Sequence, residues 1–160
     1  MAALAADANA SIVGTPTIIT FKANAADTYF KGSIVYADTA GGCQVTAAAG
    51  DRVLGISPKK QVVALGDEVA VLVEGWVWLP VGTNIAAEDE NDVLVNDGPT
   101  DTDNPADMVS HDDITLAAND AAVGVIKRVT STQMLVRIGE MTGRIAVAQA
   151  IDTTDSTLWR

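Results

Sequence analysis

A chain of 160 residues with 48% apolar and only 4% aromatic side chains has the make-up of one globular domain with its own core. Its formal net charge of −11 sets free nucleic acid aside as a partner, because phosphate backbones repel such a protein. A lone cysteine, Cys43, excludes an internal disulfide and a multi-cysteine zinc site, and no apolar run approaches the roughly 18 residues of a membrane helix.

In chain order, "MAALAADANA" reads as a mobile arm, since so short an isolated helix would be marginal in water. "MAALAADANASIV" has neither a basic n-region nor a continuous apolar stretch, so no secretory leader is expected. From Ser11 the pattern turns to short β-type runs broken by Gly, Asp, Asn and Pro. Strands are expected in "TIITFKA" (17–23), "GSIVYAD" (32–38), "DRVLGIS" (51–57) and "KQVVAL" (60–65). The strongest segment is "DEVAVLVEGWVWLPVG" (67–82), where Val69, Val71 and Val73 alternate with Ala70, Leu72 and Glu74. Gly75 interrupts that alternation and predicts a bulge or sharp bend, and Pro80 predicts the end of the run or an edge. "AAVGVIKRV" (121–129) and "QMLVRIG" (133–139) flank a polar "TST" and read as a hairpin. The fold class that follows is all-β, a small barrel or sandwich.

"EDENDVLVNDGPTDTDNPADMVSHDD" (88–113) holds ten acidic residues, the sole histidine and no lysine or arginine. Within it "DVLV" alternates like a strand, "NDGP" is turn chemistry and "ADMVS" can pair back, so an elaborated hairpin with carboxylates in solvent is expected. An EF-hand loop is broken by Pro105 and Ala106; an irregular calcium site on Asp101, Asp103 and Asp107 is the lesser alternative to a solvated loop. Any imidazole catalysis must use His111, but adjacent residues of "SHDD" point apart, and a solvent-exposed loop histidine is the simpler reading. Cys43 reads as a small packed side chain. Phosphate-loop motifs are missing. The glycine-punctuated pattern is also similar to biotinyl and lipoyl carriers, but Thr142 stands where the modifiable lysine of the turn is needed. No catalytic residues, metal ligands or cofactors are therefore assigned, and an enzyme is not expected.

Trp76 and Trp78 lie two apart on one strand face. Buried, they would fill a core or subunit interface; exposed, they would stack against a sugar. Without polar side chains placed for hydroxyl recognition, core or interface is preferred, with a carbohydrate- or cell-surface-binding β-module as the alternative.

Three stretches, "YFKGSIVYADTAGGCQVTAAAGDRVLGIS", "LGDEVAVLVEGWVWLPVG" and "AAVGVIKRVTSTQMLVRIG", follow one another in an order that resembles a family of bacteriophage capsid decoration (cement) proteins. Some members of that family carry a recombinase-like label, which the charge and the missing phosphate loop do not support. The resemblance covers about two-thirds of the chain and rests on structural glycines and valines. It implies a β-barrel-like domain that forms a homotrimer on the outer surface of the virion, binds the major capsid protein and stabilises the head. It does not imply contact with nucleic acid or membrane. On this reading residues 1–20 are an arm, 21–139 the decoration domain and 140–160 a C-terminal extension. Ile12, Val13, Ile18 and Ile19 of "SIVGTPTIIT", with Trp76 and Trp78, are the expected subunit or partner interface. That stretch could add a strand to an edge on the capsid protein or form the domain's own first strand.

Overall fold

The computed structural model describes residues 3–38, 40–46, 51–96, 103–114 and 120–145. The described chain is nearly all β, a curled antiparallel sheet forming a half-barrel. Its strands are β1 (Ser11–Lys22), β3 (Ile34–Ala37), β4 (Cys43–Gln44), β5 (Val53–Ile56), β7 (Glu68–Pro80), β8 (Val93–Asn96), β9 (Val109–Ser110), β10 (Ala121–Val129) and β11 (Gln133–Ile138). β2 (Asp27–Tyr29) and β6 (Gln61–Val63) form a separate two-stranded ribbon. The sheet runs β4-β3-β5-β7-β11-β10-β8-β9, and β1 pairs with β7.

β7 organises the molecule. One of its edges carries β1 along most of its length, from Lys22 opposite Glu68 to Ser11 opposite Trp78. The other edge is shared: β5 meets it at Leu72, and β11 takes over from Gly75 to Pro80. Gly75 makes the changeover possible with a φ of +150°, open to glycine alone, while Pro16 of β1 packs where a β-carbon would stand. The expected bend is therefore real. It also reverses which side chains face inward.

Before the bend, Leu72 enters the main core with Ile34, Tyr36 and Ile56, while its neighbour Val71 joins a second cluster with Val35, Val69 and Tyr29. Adjacent strand residues point to opposite faces, so apolar clusters cover both faces of this half of the sheet. After the bend, Val77 and Leu79 enter the main core with Met134, Val136 and Ile138 of β11. Their neighbours Trp76 and Trp78 are turned out and only half-buried. Each fully buried Val, Leu or Ile along β7 and β11 contributes about 1.5–3 kcal/mol.

The two ends depart from expectation. Residues 3–10 are tied down instead of forming a mobile arm: Leu4 N–H donates to Asp103 Oδ1 (2.8 Å), and Ala8 N–H donates to the Lys31 carbonyl (2.8 Å). Lys31 N–H in turn donates to Asp7 Oδ1 (2.9 Å), and Ala10 is buried. Backbone bonds and one apolar contact hold what helix propensity could not. Residues 11–22 are the sheet's own strand β1, so the boundary at residue 20 cuts through a strand. At the other end Ala122 N–H donates to Arg144 O (2.9 Å) and Gly143 N–H to Ala122 O (3.1 Å), which folds 143–145 onto β10. The rest of the C-terminal extension lies outside the described residues.

The acidic stretch forms the expected hairpin, with Leu94 of β8 opposite Ser110 and Val95 opposite Val109. Its tip, 97–102, lies outside the described residues. The carboxylates do not all face water, however. Asp89 and Asp103 are buried, because each caps backbone or hydroxyl donors: Asp89 Oδ2 accepts from Ala86 N–H (2.7 Å), and Asp103 Oδ2 accepts from Ser33 Oγ (2.6 Å).

Candidate functional site

Two regions hold residues with chemistry to offer. The first is the outer face and free edge around β1. Among the described residues β1 pairs only with β7, and its other edge is open as far as Phe21; beyond it Gly42 packs on the Lys22 carbonyl and Ala23 bridges Cys43. Val13, Ile18 and Ile19 are 45%, 44% and 48% exposed, high values for apolar side chains in a paired strand. Ile18 lies opposite Leu72 and Ile19 opposite Val71, so the two isoleucines flank the open edge on opposite faces of the sheet. Gly14 (φ +72°) and the register shifts between Val13 and Thr17 and between Thr17 and Ile18 interrupt the edge partway, leaving 18–22 as the longest regular stretch. Bulges and proline are common protections of edge strands. Here the irregularity covers the middle of the strand and leaves 18–22 regular.

Val13, Trp76 and Arg137 stand side by side across β1, β7 and β11, as do Ser11, Trp78 and Leu135. Paired residues share a face, so the structure gathers Val13, Trp76 and Trp78 into one outward patch. Ile12 is opposite Val77, points the other way and packs against the core. Ile18 and Ile19 lie further along, beyond the Gly75 bend. The Arg137 guanidinium lies over the Trp76 ring at 5.4 Å and also reaches Glu140 (3.6 Å), which Lys127 holds at 3.2 Å. An open cleft of about 510 Å³ beside them is lined by Glu74, Arg137, Gly139 and Glu140. Cation–π contact occupies one face of the indole a sugar ring would need.

The second region is the base of the acidic hairpin, and here the sequence reading needs correction. His111 is 1% exposed, not a solvated loop residue. Its Nδ1 accepts the Val93 N–H at 3.1 Å, which locks the ring against the start of β8. Asp92, Asp112 and His111 bring ligand atoms within 4.8 Å of one another, and Ser110 Oγ donates to Asp92 Oδ2 at 3.4 Å. Burial, then the adjacent Asp112 carboxyl, pushes Asp92 up to about 6; Asp89 adds to this and His111 opposes it. No signal in the sequence joined Asp92 to Asp112, because a hairpin of undetermined register separates them. The lesser alternative, a calcium set on Asp101, Asp103 and Asp107, is not assembled among the described residues. Asp103 already serves Ser33 and Leu4, and Asp101 lies outside those residues.

Cys43 is fully buried, and burial pushes its thiol above the ordinary value. A reactive thiolate is disfavoured there.

The Asp92 environment predicts an unusual pH dependence. A carboxyl whose folded pKa is raised from 3.8 to about 6 contributes stability that is complete below pH 3.8 and is lost as pH rises through 6. Asp103 and Asp113 are shifted upward too, each chiefly by burial. Urea midpoints measured in chelator should therefore be higher at pH 5 than at pH 7.5. Asp92→Asn should raise stability at pH 7.5 by about 1 kcal/mol, a figure discounted for the solvent that reaches this half-buried group. A less stable Asp92→Asn at pH 7.5 would show that the Asp92 carboxylate makes a net favourable contact in the folded chain.

No family model, no curated protein and no solved structure matches this chain.

Proposed function

We propose that this chain is a non-enzymatic assembly protein, a bacteriophage capsid decoration (cement) protein that binds the outer surface of the head and stabilises its lattice. The observation that carries the reading is the open β1 edge, with Ile18 and Ile19 exposed on its two faces and the Val13–Trp76–Trp78 patch beside it. A long apolar edge left bare in a soluble protein is an aggregation hazard, and coverage by another chain removes it. Pairing along 18–21 supplies backbone hydrogen bonds, while the isoleucines and tryptophans supply buried apolar area. Homotrimer formation and the major capsid protein as partner come from the sequence resemblance. The acidic remainder of the surface suits a protein that faces solvent and avoids the packaged genome.

The sugar-binding alternative is weaker, because Arg137 lies over Trp76 and the adjacent cleft is charged.

The test is reconstitution on expanded heads stripped of decoration. Saturable binding at a fixed ratio to the major capsid protein, with raised thermal resistance of the heads, is the expected result. No binding to the heads of the phage that encodes the chain overturns the proposal.

A further inference from the structure

Asp92, just before β8, and Asp112, in the 3-10 turn His111–Asp113, meet at the base of the acidic hairpin. Both backbones are held: Asp92 N–H donates to Asp89 O (3.0 Å), its carbonyl accepts from Ile126 N–H (2.9 Å), and the turn follows directly on β9. The two carboxylates are thus brought together by the fold. Among the described residues no lysine or arginine pairs with either.

The imidazole beside them carries the second observation. Because Nδ1 accepts the Val93 N–H, the hydrogen of the neutral ring sits on Nε2. Nε2 is fully buried and lies 3.0 Å from Asp112 Oδ1, yet that approach lacks hydrogen-bond direction, and the atom has no partner. A buried N–H left beside a pair of carboxylates with no well-directed acceptor is costly, about 1–3 kcal/mol for such a group. An oxygen placed in the cluster relieves it.

We propose that Asp92 and Asp112 hold a hard divalent cation of the calcium class through their carboxylate oxygens, with water completing the shell and one water oxygen accepting the His111 Nε2–H. Oxygen ligands are the decisive point. A zinc-like ion bound at Nε2 would need that nitrogen's lone pair while Nδ1 already faces a donor, a state that requires the doubly deprotonated ring. Calcium tolerates an irregular shell and uses carboxylates with several waters, and Asp92 and Asp112 are open enough to admit them. Two carboxylates place the affinity in the weak range, on the order of 10⁻⁴–10⁻³ M. Bound there, the ion would tie the β8 side of the hairpin to the turn after β9. The inference is independent of the capsid reading.

The test uses the full chain freed of metal by chelator and dialysis. Calorimetric titration and thermal unfolding are run with CaCl2, MgCl2 and ZnCl2 at constant ionic strength. At ten times the Kd, calcium should raise the unfolding temperature by roughly 3–6 °C. Asp92→Asn and Asp112→Asn, each first shown to be folded by circular dichroism, should lose that shift, while the exposed control Glu68→Gln keeps it. His111→Gln should retain calcium binding with at most a several-fold weakening. Three results overturn the proposal: no calcium response at 10 mM, a response that survives in the Asp92→Asn/Asp112→Asn double variant, or zinc binding that outcompetes calcium and vanishes in His111→Gln.

Discussion

Ile18→Asp/Ile19→Asp in β1 is expected to leave the chain folded but monomeric and unable to bind heads. Both side chains are close to half exposed and lie beyond the main core, so the isolated domain should lose no more than about 1 kcal/mol. In an assembly the balance differs. Each isoleucine newly buried contributes about 1 kcal/mol, and a carboxylate put in its place must be dehydrated without a cation to meet it. A combined loss of about 3 kcal/mol or more corresponds to at least a hundredfold weaker association. Light scattering measures the mass, and a head-binding titration measures the docking. A double variant that keeps the wild-type mass and occupancy would remove the β1 edge from the interface and, with it, the main support for the assembly reading. Ile12→Ala offers the contrast: its side chain packs inward against the core, so it should lower stability with little effect on docking by the surviving fold.

Gly55→Ala should be the most damaging single methyl in the fold. Gly55 lies in β5 where that strand crosses β7, and an added β-carbon would sit 1.9 Å from the Leu72 carbonyl oxygen. The obstacle is backbone, which no rotamer change can move. β5 and β7 are joined at one registered pair, Ile56 opposite Leu72, and separating them would open the main core beside Tyr36 and Ile34. A cost of about 3 kcal/mol or more is expected, a fall in unfolding temperature of roughly 10 °C. Gly41→Ala serves as the comparison. Its φ of +96° makes alanine strained, but nothing lies within 4 Å of the new methyl. It should cost only about 1 kcal/mol. Equal losses in thermal unfolding for the two variants would mean that backbone conformation, not the strand crossing, makes Gly55 necessary.

Strands were legible wherever one face is buried, because a two-residue alternation survives without knowledge of the partner. Each expected run from "TIITFKA" to "QMLVRIG" contains a strand, and the hairpin of β10 with β11 follows from its short polar turn. β2 and β4 were missed because two or three residues carry no measurable period. "MAALAADANA" was misjudged for a related reason. Its order comes from donors to Asp103 and Lys31, 99 and 23 positions away respectively in the case of Leu4 and Ala8, and not from any local pattern.

The amino-acid sequence by itself determined the all-β class, the bend at Gly75, the shared face of Trp76 and Trp78 and the acidic hairpin. These depend on chain-local rules: alternation, glycine's freedom and turn chemistry. Tertiary structure alone decided that "SIVGTPTIIT" lies on β7, that Ile12 turns inward while Ile18 and Ile19 rim an open edge, and that His111 is sealed beside Asp92 and Asp112. Those outcomes depend on strand order and register between distant segments. A one-residue change of register reverses every side chain in a strand, and no local pattern in either strand specifies its neighbour.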